Sequence, residues 1–230
     1  MNVEKKDYLQ KNESADDNRF KFVVVSGVAS GAGKTSVAEA LIKWFAGKRS
    51  VSAVKITVTH GERGCPHGGK GCNTCSSLGG EFQIIKKKNI IEQSGTDTER
   101  FVLAGGKPVL WAITKDRAIE NAWGEIRNEM NGSNLAVIES NTLACVTKPG
   151  LTVMVVDPTV SRKLWKDSSF KLIKESDFLI FNNRGDEMRR RACLEEVERI
   201  REKGCEILFT AHPHLITRDK RLTDRLHFFI

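Results

Sequence analysis

Residues 26–36 read SGVASGAGKTS, a glycine-rich run that closes on Gly33, Lys34 and Thr35. Binding a phosphate takes a concave row of backbone N–H donors, and glycine reaches the torsions that make one. Gly31, Ala32 and Gly33 would supply that row. Lys34 would reach the terminal phosphates, and the Thr35 hydroxyl, beside Ser36, would bind Mg²⁺. The spacing is not the usual one. Val28 stands where the first glycine belongs and Gly27 lies one residue earlier, so the run is G-x5-G-K-T. Gly27, Gly31 and Gly33 do not fit the dinucleotide fingerprint either.

A metal beside the phosphates needs a carboxylate. Glu139 closes the apolar run LAVIES and Asp157 closes LTVMVVD, so both are expected at carboxyl ends of strands, where open α/β sheets hold their ligands. Ser140, Asn141 and Thr142 follow Glu139 in what reads as a switch-type loop, which favours Glu139. Asp97, in SGTDTER, is a third candidate, with helix capping as its structural alternative. Later in the chain DFLIFNNRGDE carries Asn183, Arg184, Gly185 and Asp186. A carboxylate at Asp186 can accept from the N1–H and exocyclic amine of guanine. Adenine offers no such donor pair and would leave the carboxylate unpaired. Asn183 would donate to the ring from the other side. The competing role for Asp186 is to cap the helix that follows.

Cys65, His67, Cys72 and Cys75 form C-x-H-x4-C-x2-C within a stretch too poor in apolar side chains to be ordered by a core. Three thiolates and an imidazole suit tetrahedral Zn²⁺, and three thiolates alone suit part of an iron–sulfur cluster shared across a dimer. The alternative is an unordered loop with free thiols. Cys145, Cys193 and Cys205 read as structural, and His212 and His214 as a surface turn around Pro213.

The elements that must position these groups are legible as apolar runs. FVVVSG, VSAVKITV, KPVLWAIT, LAVIES, LTVMVVD, DFLIFN and CEILFT read as strands. Helical spacing follows the phosphate loop and recurs at 115–130 and 187–203. In the last of these Met188, Ala192, Val197 and Ile200 make an apolar stripe, with Gly204 as its cap. Alternating strands and helices imply an α/β fold, a mostly parallel sheet with helices on both faces. Residues 1–19 read as a flexible leader and 20–230 as one nucleotide-binding domain, with a Cys/Gly-rich insert at 61–80.

The chain has 230 residues, 40% hydrophobic and 29% charged, and a formal net charge of +8. No apolar run reaches the roughly 20 residues that span a bilayer, and the N-terminus lacks a signal-peptide core. A cytoplasmic protein with reduced cysteines is expected. The basic residues are scattered and only one tyrosine is present, so nucleic acid is not an expected partner.

The order of motifs resembles the SIMIBI class of P-loop GTPases. It comprises the phosphate loop, a strand carrying Lys55 and followed by His60, SGTDTERFVLAGG, a strand ending in Glu139, and a late N-[KR]-x-D. Within that class the chain is most similar to the molybdopterin-guanine dinucleotide biosynthesis protein B family. In that likeness Asp97, Arg100, Ala104 and Gly105 match its D-S/T-x-x-R…A-G segment and Glu139 its acidic strand end. The resemblance implies a Mg²⁺-dependent GTPase, with Lys34, Glu139 and Asp97 as its catalytic residues. It would assist assembly or nucleotide attachment of a metal-containing cofactor, acting on a partner protein. A homodimer is expected. The cysteine-rich insert departs from that family, and its Cys65-Pro66-His67 resembles a metal-binding tripeptide of urease accessory GTPases. Two other readings stay open: an ATP-dependent ligase or kinase of the dethiobiotin synthetase type, and a metal-ordered module that binds nucleic acid or a partner.

Overall fold

The computed structural model describes residues 20–59, 78–130, 133–202 and 204–230. The leader and the four ligands proposed in the insert (Cys65, His67, Cys72, Cys75), together with His60, lie outside the described residues. The strands are β1 (Lys21–Gly27), β2 (Ser52–Thr59), β3 (Phe82–Ile85), β4 (Val109–Lys115), β5 (Leu135–Glu139), β6 (Leu151–Val156), β7 (Phe178–Asn182) and β8 (Glu206–Thr210). Among the described residues they form one sheet in the order β3-β4-β2-β5-β1-β6-β7-β8. All pairs are parallel except β3–β4. The seven expected strands are present, and β3 is an addition that pairs antiparallel at the edge.

The helices are α1 (Lys34–Ala46), α2 (Lys88–Ile91), α3 (Asp97–Leu103), α4 (Ile119–Glu129), α5 (Asn141–Val146), α6 (Asp167–Glu175), α7 (Glu187–Ile200) and α8 (Lys220–Leu226). Alternate residues of the central strand β1 feed two cores. Val23 and Val25 join Val37, Leu41 and Phe45 of α1 and Phe101 of α3 on one face. Val24 joins Trp123, Leu143, Leu172 and Val197 of α4–α7 on the other. A parallel sheet covered in this way buries both faces of each inner strand, which is why β5, β6 and β7 read as unbroken apolar runs.

Three local expectations are corrected. The segment 115–130 is split, because β4 runs on to Lys115, so the helix starts only at Ile119. Helix α7 stops at Ile200, and Gly204 (φ 104°) turns the chain into β8 instead of capping the helix. Met188 is not part of a buried stripe. It is 78% exposed, and Val197 is the buried residue of α7.

Candidate functional site

The carboxyl ends of β1, β5, β2 and β7 bring the chemistry together. Between β1 and α1 the chain turns through Gly31 (φ 76°) and Gly33 (φ 106°), torsions that other residues rarely adopt. Gly33 occupies the N-cap of α1 and no side chain caps it, so the first N–H groups of the helix face the loop. Ala32 is buried beneath the loop. The glycine at position 27 has a steric reason. A Cβ on Gly27 would lie 2.7 Å from Cγ of Lys34, so Gly27 makes room for the lysine stem. Asn141, at the start of α5, clamps the same residue. Gly27 N–H donates to Asn141 Oδ1 at 3.0 Å, and Asn141 Nδ2 donates to the Gly27 carbonyl at 2.9 Å.

Lys34 turns back and donates to the Ala29 carbonyl at 2.6 Å. Burial, aided by the nearby ammonium groups of Lys166 and Lys55 and opposed by Glu139, lowers its pKa to about 8. The Thr35 hydroxyl donates to Glu139 Oε2 at 3.0 Å. Glu139 is 2% exposed, and its Oε1 accepts from Lys55 Nζ at 2.5 Å. Lys55 and Glu139 are register partners on β2 and β5, so their side chains leave the same face of the sheet. Lys55 also donates to Asp97 Oδ2 at 2.7 Å. Although burial opposes both shifts, this pairing raises the Lys55 ammonium above the usual lysine value and holds the Asp97 carboxyl below its own.

Asp97 does not cap α3; Thr96 does, accepting from Glu99 N–H at 3.2 Å. That leaves the Asp97 carboxylate free to accept from Lys55. Arg100, one turn on, donates to Glu39 Oε2 from Nε (2.9 Å) and to Ser36 Oγ (3.1 Å), which ties α3 to α1. Thr35 and Glu139 thus meet at one point, and Asp97 is joined to Glu139 through Lys55. Their donors are all oxygens, the set that suits Mg²⁺ shared with phosphates. Among the described residues no group of three or more His, Cys, Asp or Glu side chains is placed to hold a metal.

The other expected residues are placed differently. Asp157 is buried, but its Oδ1 is taken by the N–H and hydroxyl of Thr159 (2.9 and 2.6 Å), so it shapes its own loop. Asp186 caps α7, accepting from Arg189 N–H at 2.8 Å, and is exposed, as is Asn183. The asparagine that faces the phosphate loop is Asn182, the last residue of β7. It is fully buried, and its Nδ2 donates to Asp157 Oδ2 at 3.3 Å. Its Oδ1 has no hydrogen-bond partner among the described residues. Asn182 and Pro213 lie within 3.7 Å of where a Gly33 Cβ would stand, so they wall the loop on that side. His212 and His214 are exposed at the surface turn, their rings 5.7 Å apart. Cys193 and Cys205 have thiols pushed up to about 11 by burial, which fits structural cysteines, and the Cys145 thiol is raised for the same reason.

Asn182 and Lys166 are site residues that motif spacing did not single out, and Lys55 and Asn141 were noted without the contacts they make here. Lys55 carried a signal nonetheless: a lysine in the middle of VSAVKITV must find a carboxylate or leave a buried charge unpaired.

No protein-family model and no curated protein matches the sequence. Solved structures do. HypB from Helicobacter pylori in complex with nickel matches over 98% of this chain and 96% of its own, with 12% identity and a TM-score of 0.50. The hydrogenase maturation factor HypB of Archaeoglobus fulgidus matches over 90% of each chain with 13% identity and a TM-score of 0.47. A LAO/AO transport system kinase matches over 92% of this chain with 11% identity and a TM-score of 0.49, and the chain spans 59% of that protein's length. At such identities the likeness is one of fold. It is the P-loop NTPase fold. None of the described helices is long and apolar enough to cross a membrane.

Proposed function

We propose that the chain is a Mg²⁺-dependent nucleoside triphosphatase that binds GTP at residues 27–36 and uses it to drive a step in the assembly of a metal centre or metal-containing cofactor. The observation that carries the nucleotide reading is the convergence of Gly31, Gly33, Lys34, Thr35 and Glu139 at the end of β1, with Lys34 poised and its pKa lowered. Lys34 and Lys166 bring positive charge to the loop, suited to a triphosphate. Thr35 and Glu139 would hold Mg²⁺, which when bound neutralises charge on the phosphates. Lys34 contributes the ammonium at the terminal phosphate end, and the N-terminus of α1 contributes N–H donors.

Support for the assembly role comes from the fold shared with a nickel-bound HypB and from the sequence likeness around Asp97 and Arg100. The narrower likeness to molybdopterin-guanine dinucleotide protein B rests on those segments alone. Zn²⁺ at Cys65, His67, Cys72 and Cys75, a partner protein and a homodimer belong to the same proposal. Guanine selection rests on Asp186, whose second oxygen is engaged only by an exposed pair with Arg189 at 3.3 Å. The test is equilibrium competition between GTP and ATP for the wild-type protein. Preference for GTP supports the reading. Equal binding, or preference for ATP, removes the base-reading role of Asp186 and favours the ligase or kinase reading.

A further inference from the structure

A cavity of about 350 Å³ opens beside the Lys55–Asp97 pair. Lys55 and Thr57 of β2 form one wall, Trp111 of β4 a second, and Gln93 and Asp97, from the connection into α3, a third. The cavity shares its floor with the phosphate site. Lys55 bonds both Asp97 and Glu139, and Glu139 bonds Thr35. Hydrolysis needs only water beside the phosphates and gives no reason for a cavity of this size with an aromatic wall.

The lining indicates what would fit. Trp111 Nε1 donates to Thr57 Oγ1 at 3.0 Å, which fixes the indole. Together with Ile90 it offers apolar surface for a flat body. The charge is less obvious, because Lys55 belongs to the lining. Its ammonium is shared between two carboxylates, so Lys55, Asp97 and Glu139 together carry one net negative charge. Glu139 is 2% exposed and Asp97 40%, so the carboxylate that meets an incoming molecule is Asp97. A cation gains from that carboxylate and from the tryptophan face, whereas an anion gains from neither.

We propose that this cavity binds a second small ligand beside the nucleotide, a molecule with a flat apolar body and a primary ammonium group. Its place as a co-ligand rests on the phosphate-loop reading, but the cavity itself does not.

Calorimetric titration of the full chain with benzylamine, benzyl alcohol and benzoate tests this with one ring and three head-group charges. Benzylamine should bind about tenfold more tightly than the alcohol, and benzoate should not bind. Asp97→Asn should remove the preference for the amine and leave the alcohol unchanged. Trp111→Leu should weaken the amine by about fivefold or more. Should that variant fail to fold, Gln93→Lys, at an exposed position, places a competing ammonium at the wall and should abolish the amine preference. Lys34→Ala should bind benzylamine as the wild type does, so a failed nucleotide reading and a failed cavity reading give different results. Benzoate binding as well as benzylamine, amine binding indifferent to Asp97→Asn, or no binding by any of the three would overturn the proposal.

Discussion

Lys34 should make nucleotide affinity fall steeply between pH 7 and 9. In the free protein burial holds its pKa at about 8. Binding the terminal phosphates requires the ammonium and raises that pKa in the complex, so above pH 8 the complex carries more protons than the free protein. By linkage, affinity is then full below pH 8 and declines above it. With a pKa of 8 the ammonium fraction is about 0.9 at pH 7 and about 0.1 at pH 9, so the dissociation constant should rise about tenfold, about 1.4 kcal/mol. The phosphates are already ionised at pH 7 and do not contribute over this range. The assay is isothermal titration with Mg²⁺-nucleotide at fixed ionic strength, in pairs of buffers with different ionisation heats. Proton uptake should be about 0.1 per site at pH 7 and about 0.9 at pH 9. Lys34→Arg, always charged, should show no such slope. A wild-type affinity that changes less than about twofold over this range would refute the argument that Lys34 is desolvated and used.

Glu139→Gln should cut Mg²⁺-dependent hydrolysis more than tenfold and lower stability by about 1–3 kcal/mol, since the buried acid is lost while Lys55 keeps Asp97 as a partner. Thermal melts and a metal titration of turnover check both, and an unchanged metal dependence would count against its role. Asp186→Asn should preserve the α7 cap, because asparagine caps as well as aspartate, yet lose at least tenfold of any GTP preference. Retained preference in a competition assay would assign Asp186 to the helix alone. Replacing Cys72 and Cys75 with serine should release about one equivalent of zinc per chain, measured by elemental analysis after chelator-free purification, and leave nucleotide binding intact. Brown colour with visible absorbance in the wild type would instead indicate an iron–sulfur cluster.

The inner strands were legible because a parallel sheet buries both faces, so Val23–Val25 or Val153–Val156 leave unbroken apolar runs. Edge strand β3 was not, since three half-covered residues and one exposed one after a cysteine- and glycine-rich stretch are too short to show a period. The phosphate loop was legible in its glycines and in Lys34 and Thr35, and the steric reason for glycine at position 27 needed the position of the Lys34 stem. The pairing of Glu139 with Lys55 is a register fact between strands that are distant in sequence, so no local pattern could carry it. The buried asparagine that closes the strand before the base-side motif was not singled out. Spacing singled out Asn183, but burial and the end of β7 put Asn182 against Gly33. Met188 failed as a core residue because helical period alone does not say how much of a helix meets the sheet.

Equilibrium binding of Mg²⁺-GTP and Mg²⁺-ATP to the wild type and to Lys34→Ala, with thermal melts in parallel, tests the nucleotide assignment most directly. Lys34 is half-buried and its ammonium bonds only a loop carbonyl, so its removal should leave the melting temperature within a few degrees of wild type. The prediction is tight, Mg²⁺-dependent binding by the wild type and a loss of at least a hundredfold in the folded variant, about 2.7 kcal/mol or more. Equal affinity of the two proteins, or no nucleotide binding by the wild type, would contradict the account.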